Sequence, residues 1–440
     1  MIQRDIHRRF LANARLIVGS RVGFGVLNLV TNVIILHSFG AADLGMVMLL
    51  VAYVRVFSDV VKFESWQAVL RYGAIPAEDG DNERLRRLIG VTLTLDLLTV
   101  SGAICVAVLL VPYAAGWFGW NAEIAAIAPW FMIVILFVTN ATPNGVLRLF
   151  DRVEILALQH GVNAVIRLSL VVLVTVFGDS VRDLALAWFA AFVLSAAIPM
   201  VVSARELTRR GLLPILTLRP VQAGLLFPGI WRFFLMSNLI STTPIAVTHL
   251  TTLVVGATFG GAQAAALQLA RQLTSGASAP IKLLGPLLLP DYARLSGRGE
   301  WSMLRDVLVQ QLRVTVVAVA LVGGVLFAVL PLVVELAFGA DMLAHIWLFR
   351  LLLLATLIQT VGFSLNHAMY SASKGGTALL IQLGAVIVYA AILAGSIGPL
   401  GLNAVGVATV AFALVLRGVT LVIGHRLLKK RIGKAGLREG

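Results

Sequence analysis

Charge is scarce in this chain. Asp, Glu, Lys and Arg make up 13% of its 440 residues, about half the 25% usual in soluble domains. Cysteine is nearly absent: Cys105 is the single one and stands inside an apolar run, which excludes a disulfide framework and a thiolate metal site. The seven histidines are scattered, with no HExxH pair and no His/Cys cluster, so no metal is expected. No GxxxxGK[ST] phosphate loop occurs, and ATP hydrolysis is not built in. Long polar stretches are missing too, which leaves no soluble domain and no large loop to hold catalytic groups. The chain is not expected to be an enzyme, and neither a catalytic residue nor a cofactor is assigned.

What remains is apolar. Hydrophobic residues make up 59% of the sequence, and mean hydropathy is +0.94. A spanning helix needs about 20 mostly apolar residues. Twelve runs qualify, at 14–38, 44–71, 88–112, 124–149, 154–177, 183–204, 230–256, 262–290, 307–331, 344–371, 375–397 and 402–427. The second is interrupted by Arg55, Asp59, Lys62 and Glu64, and dropping it would put the later loops on the wrong sides. The basic stretch Met1 to Asn13 precedes an apolar run with no small-residue cleavage site, so that run reads as a retained span. The fold class expected is an all-α polytopic membrane protein of about twelve helices.

Orientation follows from Lys and Arg, which gather on the cytoplasmic side. With the N-terminus inside, the inner segments hold 25 of them, from Arg4 to Arg438, and the outer loops hold only Arg182. Both termini are then cytoplasmic. The net charge of +14 is accounted for by topology and by attraction to anionic lipids, so no nucleic acid partner is required.

Corresponding spans start about 220 residues apart, the mark of an internal repeat. At a shift of 220, Phe39-Gly40 falls on Phe259-Gly260, Lys62 on Lys282 and Tyr72 on Tyr292. Six spans per half make the halves parallel repeats. The expected plan is an N-terminal lobe at 1–204, a cytoplasmic amphipathic linker at 205–229, and a C-terminal lobe with a basic tail at 230–440. The linker carries Leu207, Leu212, Leu213, Ile215, Leu216 and Leu218 among its arginines, as a segment lying along the membrane surface does.

Twelve charges fall at membrane depth: Arg21, Arg55, Lys62, Arg167, Arg271, Lys282, Arg313, Arg350 and Arg417, with Asp59, Glu64 and Asp96. Each costs about 2.5–3.5 kcal/mol at the bilayer centre unless it faces water or a partner. The excess of base over acid suits an anionic substrate. Helical spacing puts Arg55, Asp59, Lys62 and Trp66 on one face, with Asp59 partly neutralising its basic neighbours. That face reads either as a phosphate site, where arginine grips oxygens bidentately, or as a self-neutralised structural cluster. The substrate-binding candidates are Arg21, Arg55, Lys62, Arg271 and Lys282; the candidates for charge balance or coupling are Asp59, Glu64 and Asp96. His249 and His367 read as interhelical hydrogen-bonding groups more readily than as a proton relay.

Three stretches resemble a known group. Phe39–Gly73, FGAADLGMVMLLVAYVRVFSDVVKFESWQAVLRYG, resembles the second-span region of polysaccharide flippases, with its Leu-Gly turn and closing Arg-Tyr. Ala265–Leu295, AALQLARQLTSGASAPIKLLGPLLLPDYARL, is similar to the eighth-span signature of the same group. Gly145–Leu156, GVLRLFDRVEIL, is similar to the fourth-to-fifth span turn. The group is the O-antigen and exopolysaccharide repeat-unit flippases of the multidrug/oligosaccharidyl-lipid/polysaccharide exporter superfamily. The resemblance implies two six-helix lobes around a central cationic cavity, opening to either side in turn. It implies an undecaprenyl-pyrophosphate-linked oligosaccharide as cargo, membrane lipids as partners, other polysaccharide-assembly proteins as possible partners, and the bacterial inner membrane as location. Related lipid II flippases have cavity arginines in the first, second and eighth spans, where this chain has Arg21, Arg55 and Arg271. They also have an acid near the second-span arginine, where Asp59 stands. The alternatives are a cation-coupled multidrug exporter of the same fold, which would favour an acidic cavity, and a polysaccharide polymerase or ligase, which the short outer loops disfavour.

Overall fold

The computed structural model describes residues 2–216, 223–282, 300–361 and 376–436. Among the described residues the chain is helical, with no strand. The first unit of the sequence runs α1 (Ile2–Val61), α2 (Ser65–Asp79), α3 (Asn82–Phe118), α4 (Ala122–Phe131), α5 (Val134–Val138), α6 (Ala141–Leu149), α7 (Val153–Phe177) and α8 (Val181–Arg209). Then come α9 (Ala223–Leu226), α10 (Ile230–Ile245), a π-helical turn (Ala246–Leu250), α11 (Thr251–Phe259) and α12 (Gly261–Lys282). The remainder is α13 (Trp301–Phe338), a 3-10 turn (Ala340–His345), α14 (Ile346–Thr360), α15 (Gly376–Leu400) and α16 (Asn403–Gly436).

Nine of the described helical stretches are long and apolar enough to cross a membrane, and the pair formed by Ala122–Phe131 and Val134–Leu149, bent by 50°, makes a tenth. The first of the nine, Gly23–Asp79, contains two of the expected spans, because it is kinked at Gly40. The expected eighth span begins as α12, whose Gln263, Gln268, Arg271 and Gln272 keep it out of the nine. The chain is therefore an all-α multi-pass membrane protein. Residues 283–299 and 362–375, with Tyr292, Arg294, His367 and Lys374, lie outside the described residues, as do 217–222 of the linker.

The repeat has a backbone counterpart. Gly40 and Gly260, which the 220-residue shift superposes, have φ 86, ψ 172 and φ 91, ψ 179. Only glycine enters that region without strain. Each ends one long helix and turns the chain into the next. The shift also superposes Phe118-Gly119 on Phe338-Gly339, and both glycines cap helix ends at positive φ. The two turns pack together: a Cβ on Gly45 would lie 1.8 Å from the Gly261 carbonyl oxygen. Gly45→Ala is thus expected to lower stability by about 1–3 kcal/mol, the usual range for overpacking, read as a lower melting temperature in detergent. Gly102, with open space about its Cβ, is the control. Gly102→Ala should hold or raise the midpoint, since alanine is the better helix former by about 1 kcal/mol.

Packing gathers the chain into two compact units, Gly19–Ala265 and Met1–Val18 with Ala266–Gly440. This division differs from the repeat boundary at 205–229, because α10 packs on α2 and α11 on α3. In the first unit α7 lies on α8, and the half-helices α2 and α6 lie together. In the second, α13, α14 and α15 all contact neighbours in a group closed by α16. There Gly406 and Gly323 admit the side chains of Leu351 and Leu357, which a Cβ would meet at 2.6 and 2.5 Å.

The described part of the linker is anchored rather than loose. The α8 helix continues into it as far as Arg209. Ile215 N donates to Arg86 O at 3.2 Å, and Arg86 Nε donates to Leu213 O at 2.8 Å. Gly90 makes room, since a Cβ there would stand 1.9 Å from Ile215 O. Leu212 joins a buried cluster with Leu85, Leu88, Leu207, Phe227 and Phe234, while Leu213 and Leu216 stay exposed. Nearby, at the turn into α7, Arg152 Nε donates to Glu154 Oε1 at 2.6 Å.

Candidate functional site

The second span is broken where its charges cluster. Helix α1 stops at Val61, residues 62–64 are irregular, and Glu64 takes a left-handed conformation (φ 51, ψ 37) before α2 begins. Irregular backbone at membrane depth persists only where protein groups satisfy it. Asn238 does so from α10, its Nδ2 donating to Val60 O at 3.0 Å and Lys62 O at 3.3 Å. Glu64 is buried and accepts from Trp66 Nε1 and from Gln67 Nε2. Lys62 Nζ lies 3.7 Å from Glu64 Oε1. On α6, the Arg148 guanidinium stacks 3.9 Å from the Trp66 ring centre.

This break corrects the expectation of one shared face for Arg55, Asp59, Lys62 and Trp66. A continuous helix would align them, but the turn at 62–64 gives Trp66 to a different helix. As expected, Asp59 lies within electrostatic reach of both Arg55 and Lys62. The contacts extend further than expected: Lys62 pairs with Glu64, and Asp59 Oδ2 faces His249 Nε2 at 3.6 Å. His249 sits in the π-helical turn Ala246–Leu250, an irregularity frequent at functional sites.

Arg55 turns toward α8 instead, 5.6 Å from the Phe192 ring centre. One turn earlier on α8, Trp188 packs on Phe192 with ring centres 6.2 Å apart. Over Trp188, at 4.3 Å, lies the guanidinium of Arg167 from α7. Arg167 is buried, its Nη2 donates to Asn28 Oδ1 on α1, and its Nε is buried without a partner. Two guanidinium groups therefore lie along one aromatic strip; Asp59 is within electrostatic reach of Arg55, and Arg167 has no carboxylate in ion-pair contact among the described residues. Aromatic faces stabilise such groups by about 0.5–2 kcal/mol without neutralising them, so the strip can receive an anion.

Sequence reasoning placed Arg167 among the buried charges but not in the site. The signal that could have found it is Trp188 and Phe192 at i, i+4 spacing on a neighbouring span. Asp96, expected to balance charge, lies within electrostatic reach of Lys62. It is buried on α3 and accepts from Ser65 Oγ at 2.5 Å, Thr142 N at 2.9 Å and Thr142 Oγ1 at 2.6 Å. Arg271 stands on α12 in the other compact unit, within electrostatic reach of Tyr389. The side chains of Arg21 and Lys282 lie outside the described residues. In that same unit Arg350 lies between the rings of Phe327 and Trp347, at 5.0 and 5.2 Å.

No model of a known protein family matches the chain. In sequence it is similar to Inner membrane protein YghQ of Escherichia coli (strain K12), 24% identical over 257 residues, which is 58% of this chain and 72% of that one. In structure it is similar to an inward-facing multidrug resistance MATE family transporter of the MOP superfamily, with a TM-score of 0.75 at 14% identity over 93% of this chain and 96% of that one. It is similar also to the lipid II flippase MurJ in an inward closed conformation, with a TM-score of 0.71 at 12% identity over 94% of this chain and 89% of that one. The chain has the fold of MOP-superfamily transporters.

Proposed function

We propose that the protein is a flippase of the inner membrane, moving an undecaprenyl-pyrophosphate-linked oligosaccharide repeat unit by alternating access for cell-surface polysaccharide synthesis. The observation that carries this reading is the pair Arg55 and Arg167 on the Trp188–Phe192 strip, two guanidinium groups with one carboxylate, Asp59, in electrostatic reach of Arg55 and none in contact with Arg167 among the described residues. An uncompensated buried guanidinium is costly, and a pyrophosphate supplies the charge and the oxygens that offset it. Aromatic rings beside the arginines suit the apolar faces of sugars. The fold shared with a lipid II flippase supports a lipid-linked cargo, and the likeness to YghQ supports the inner membrane. Lys62 and Arg21 are proposed as further anion-binding residues of this unit, and Arg271 and Lys282 as anion-binding residues of the other unit by itself, with membrane lipids and other assembly proteins as partners.

The second reading is a cation-coupled multidrug exporter, favoured by the likeness to a MATE transporter. The arginine strip opposes it, since a cationic drug gains nothing from two guanidinium groups. Complementation of a flippase-deficient strain, scored by surface polysaccharide, tests the lead reading; a strain that stays bare while the protein is well expressed contradicts it.

The two six-span lobes, 1–204 and 230–440, are proposed to share an orientation with both termini cytoplasmic. Single cysteines at Asn121 and Lys430, in a Cys105→Ala background, should differ toward an impermeant thiol reagent in whole cells. Position 121 is expected to label and position 430 to stay protected. The reverse pattern overturns the topology.

A further inference from the structure

We infer that Asp96 is a positioning residue that joins the half-helices α2 and α6 into one moving body, a role that rests on reading the chain as a transporter. Two spans are broken in this unit, the second at 62–64 and the fourth near Thr139–Asn140, where Asn140 has φ −41, ψ 47. Each break begins a new half-helix, α2 of 15 residues and α6 of 9. The first turn of any helix presents unsatisfied N–H groups and a positive dipole end. Asp96, from α3, reaches both beginnings with one carboxylate. Its Oδ1 accepts from Ser65 Oγ, at the first residue of α2, and its Oδ2 accepts from Thr142 N and Oγ1, in the first turn of α6. The 2.5–2.9 Å distances are those of charge-assisted bonds.

Two further contacts bind the beginning of α2 to points along α6. Gly145 of α6 meets the α2 backbone so closely that a Cβ would lie 2.8 Å from Trp66 Cα and 2.9 Å from Val69 Cβ. Arg148 of α6 stacks on Trp66 of α2. The start of α2 is therefore held against α6 at three points: at the head of α6 by a carboxylate, at its middle by backbone approach, and toward its tail by a stacked guanidinium. The two irregular segments that precede the pair are the places where backbone rotation is absorbed, as hinges are. Motion at one hinge then requires motion at the other, and Lys62, Trp66 and Arg148 travel with it. Two separate caps would also explain the hydrogen bonds, but would leave α2 and α6 to open independently.

Hydrogen–deuterium exchange of the full-length protein in nanodiscs separates these cases, and it does not depend on the cargo. Thr142→Val removes a donor on α6 only, and Ser65→Ala one on α2 only. Joined half-helices predict faster exchange in the first turns of both α2 and α6 for each single variant, by about fivefold to tenfold as for a lost cap. Amides of α7 should be unchanged. Exchange that rises only in the helix carrying the substitution overturns the inference, as does no rise in either. Asp96→Asn should reproduce the joint effect, and the two single variants carry the test if that protein does not fold. In flipping assays Thr142→Val should lower the maximal rate at unchanged half-saturation, and Thr142→Ser, which keeps the donor, should restore it. If no lipid-linked cargo moves even in the parent, the cargo reading fails while the exchange result still decides the role of Asp96.

Discussion

Alanine at Arg55 should abolish export while leaving folded protein in the membrane near the parental amount. Arg55 faces the Phe192 ring and lies within electrostatic reach of Asp59, with no closer ion pair among the described residues. Its removal breaks little of the fold. Its loss to the cargo is larger, since a hydrogen bond to a charged group contributes about 1.5–3 kcal/mol, about ten- to hundredfold in affinity. Arg167→Leu sharpens the contrast. It deletes a charge whose Nε is buried without a partner, and such a charge costs about 2.5–3.5 kcal/mol at mid-membrane. The melting temperature is therefore expected to hold or rise, even after losing the Trp188 and Asn28 contacts, while export falls about tenfold or more. Lysine at Arg55 should rescue only in part, because an ammonium lacks the planar fork. Surface polysaccharide and detergent melting curves, measured on the same variants, check both halves. Normal export by both Arg55→Ala and Arg167→Leu would remove the arginine strip from the mechanism.

The second large effect concerns Asp59 and His249. These two side chains link the broken second span to the π-helical turn of the seventh, 3.6 Å apart. The contact is an ion pair only when the imidazole is protonated, and histidine titrates between about pH 5 and 8. Asp59→Asn keeps the shape and removes the charge, so expression should change little and transport should fall. The dependence of flipping rate on pH should flatten in Asp59→Asn and in His249→Gln alike, because either change removes the Asp59–His249 contact. Asp59→Glu should be tolerated better than Asn. Rates in proteoliposomes across that pH range decide the matter: parental profiles in both variants would assign the pair to packing alone.

Much of the architecture was legible because the membrane simplifies the reading. Apolar runs of spanning length and the 220-residue spacing lead to a two-part helical transporter fold, and the Phe-Gly pairs mark its turns. The break at 62–64 was not legible. No proline or glycine lies between Arg55 and Trp66 to announce it, and the side chains that stabilise it, Asn238 and Thr99, are distant in sequence. Spacing rules therefore gave a continuous face that does not exist. Arg167 was missed for a related reason: its partners, Asn28 and Trp188, come from other spans. The packing of α10 and α11 with α2 and α3 likewise follows from tertiary contact, whereas the repeat records only the order of spans.

The central claim is that the Arg55–Arg167 strip receives an anionic, lipid-linked cargo. The most direct measurement is transport by purified protein in proteoliposomes, comparing a fluorescent polyprenyl-pyrophosphate oligosaccharide with a lipophilic cationic dye, for the parent and for Arg55→Ala/Arg167→Leu. The account predicts that the parent flips the pyrophosphate lipid, leaves the dye behind, and loses flipping in the double variant. Dye transport by the parent without movement of the pyrophosphate lipid, or unchanged flipping in the double variant, would contradict it.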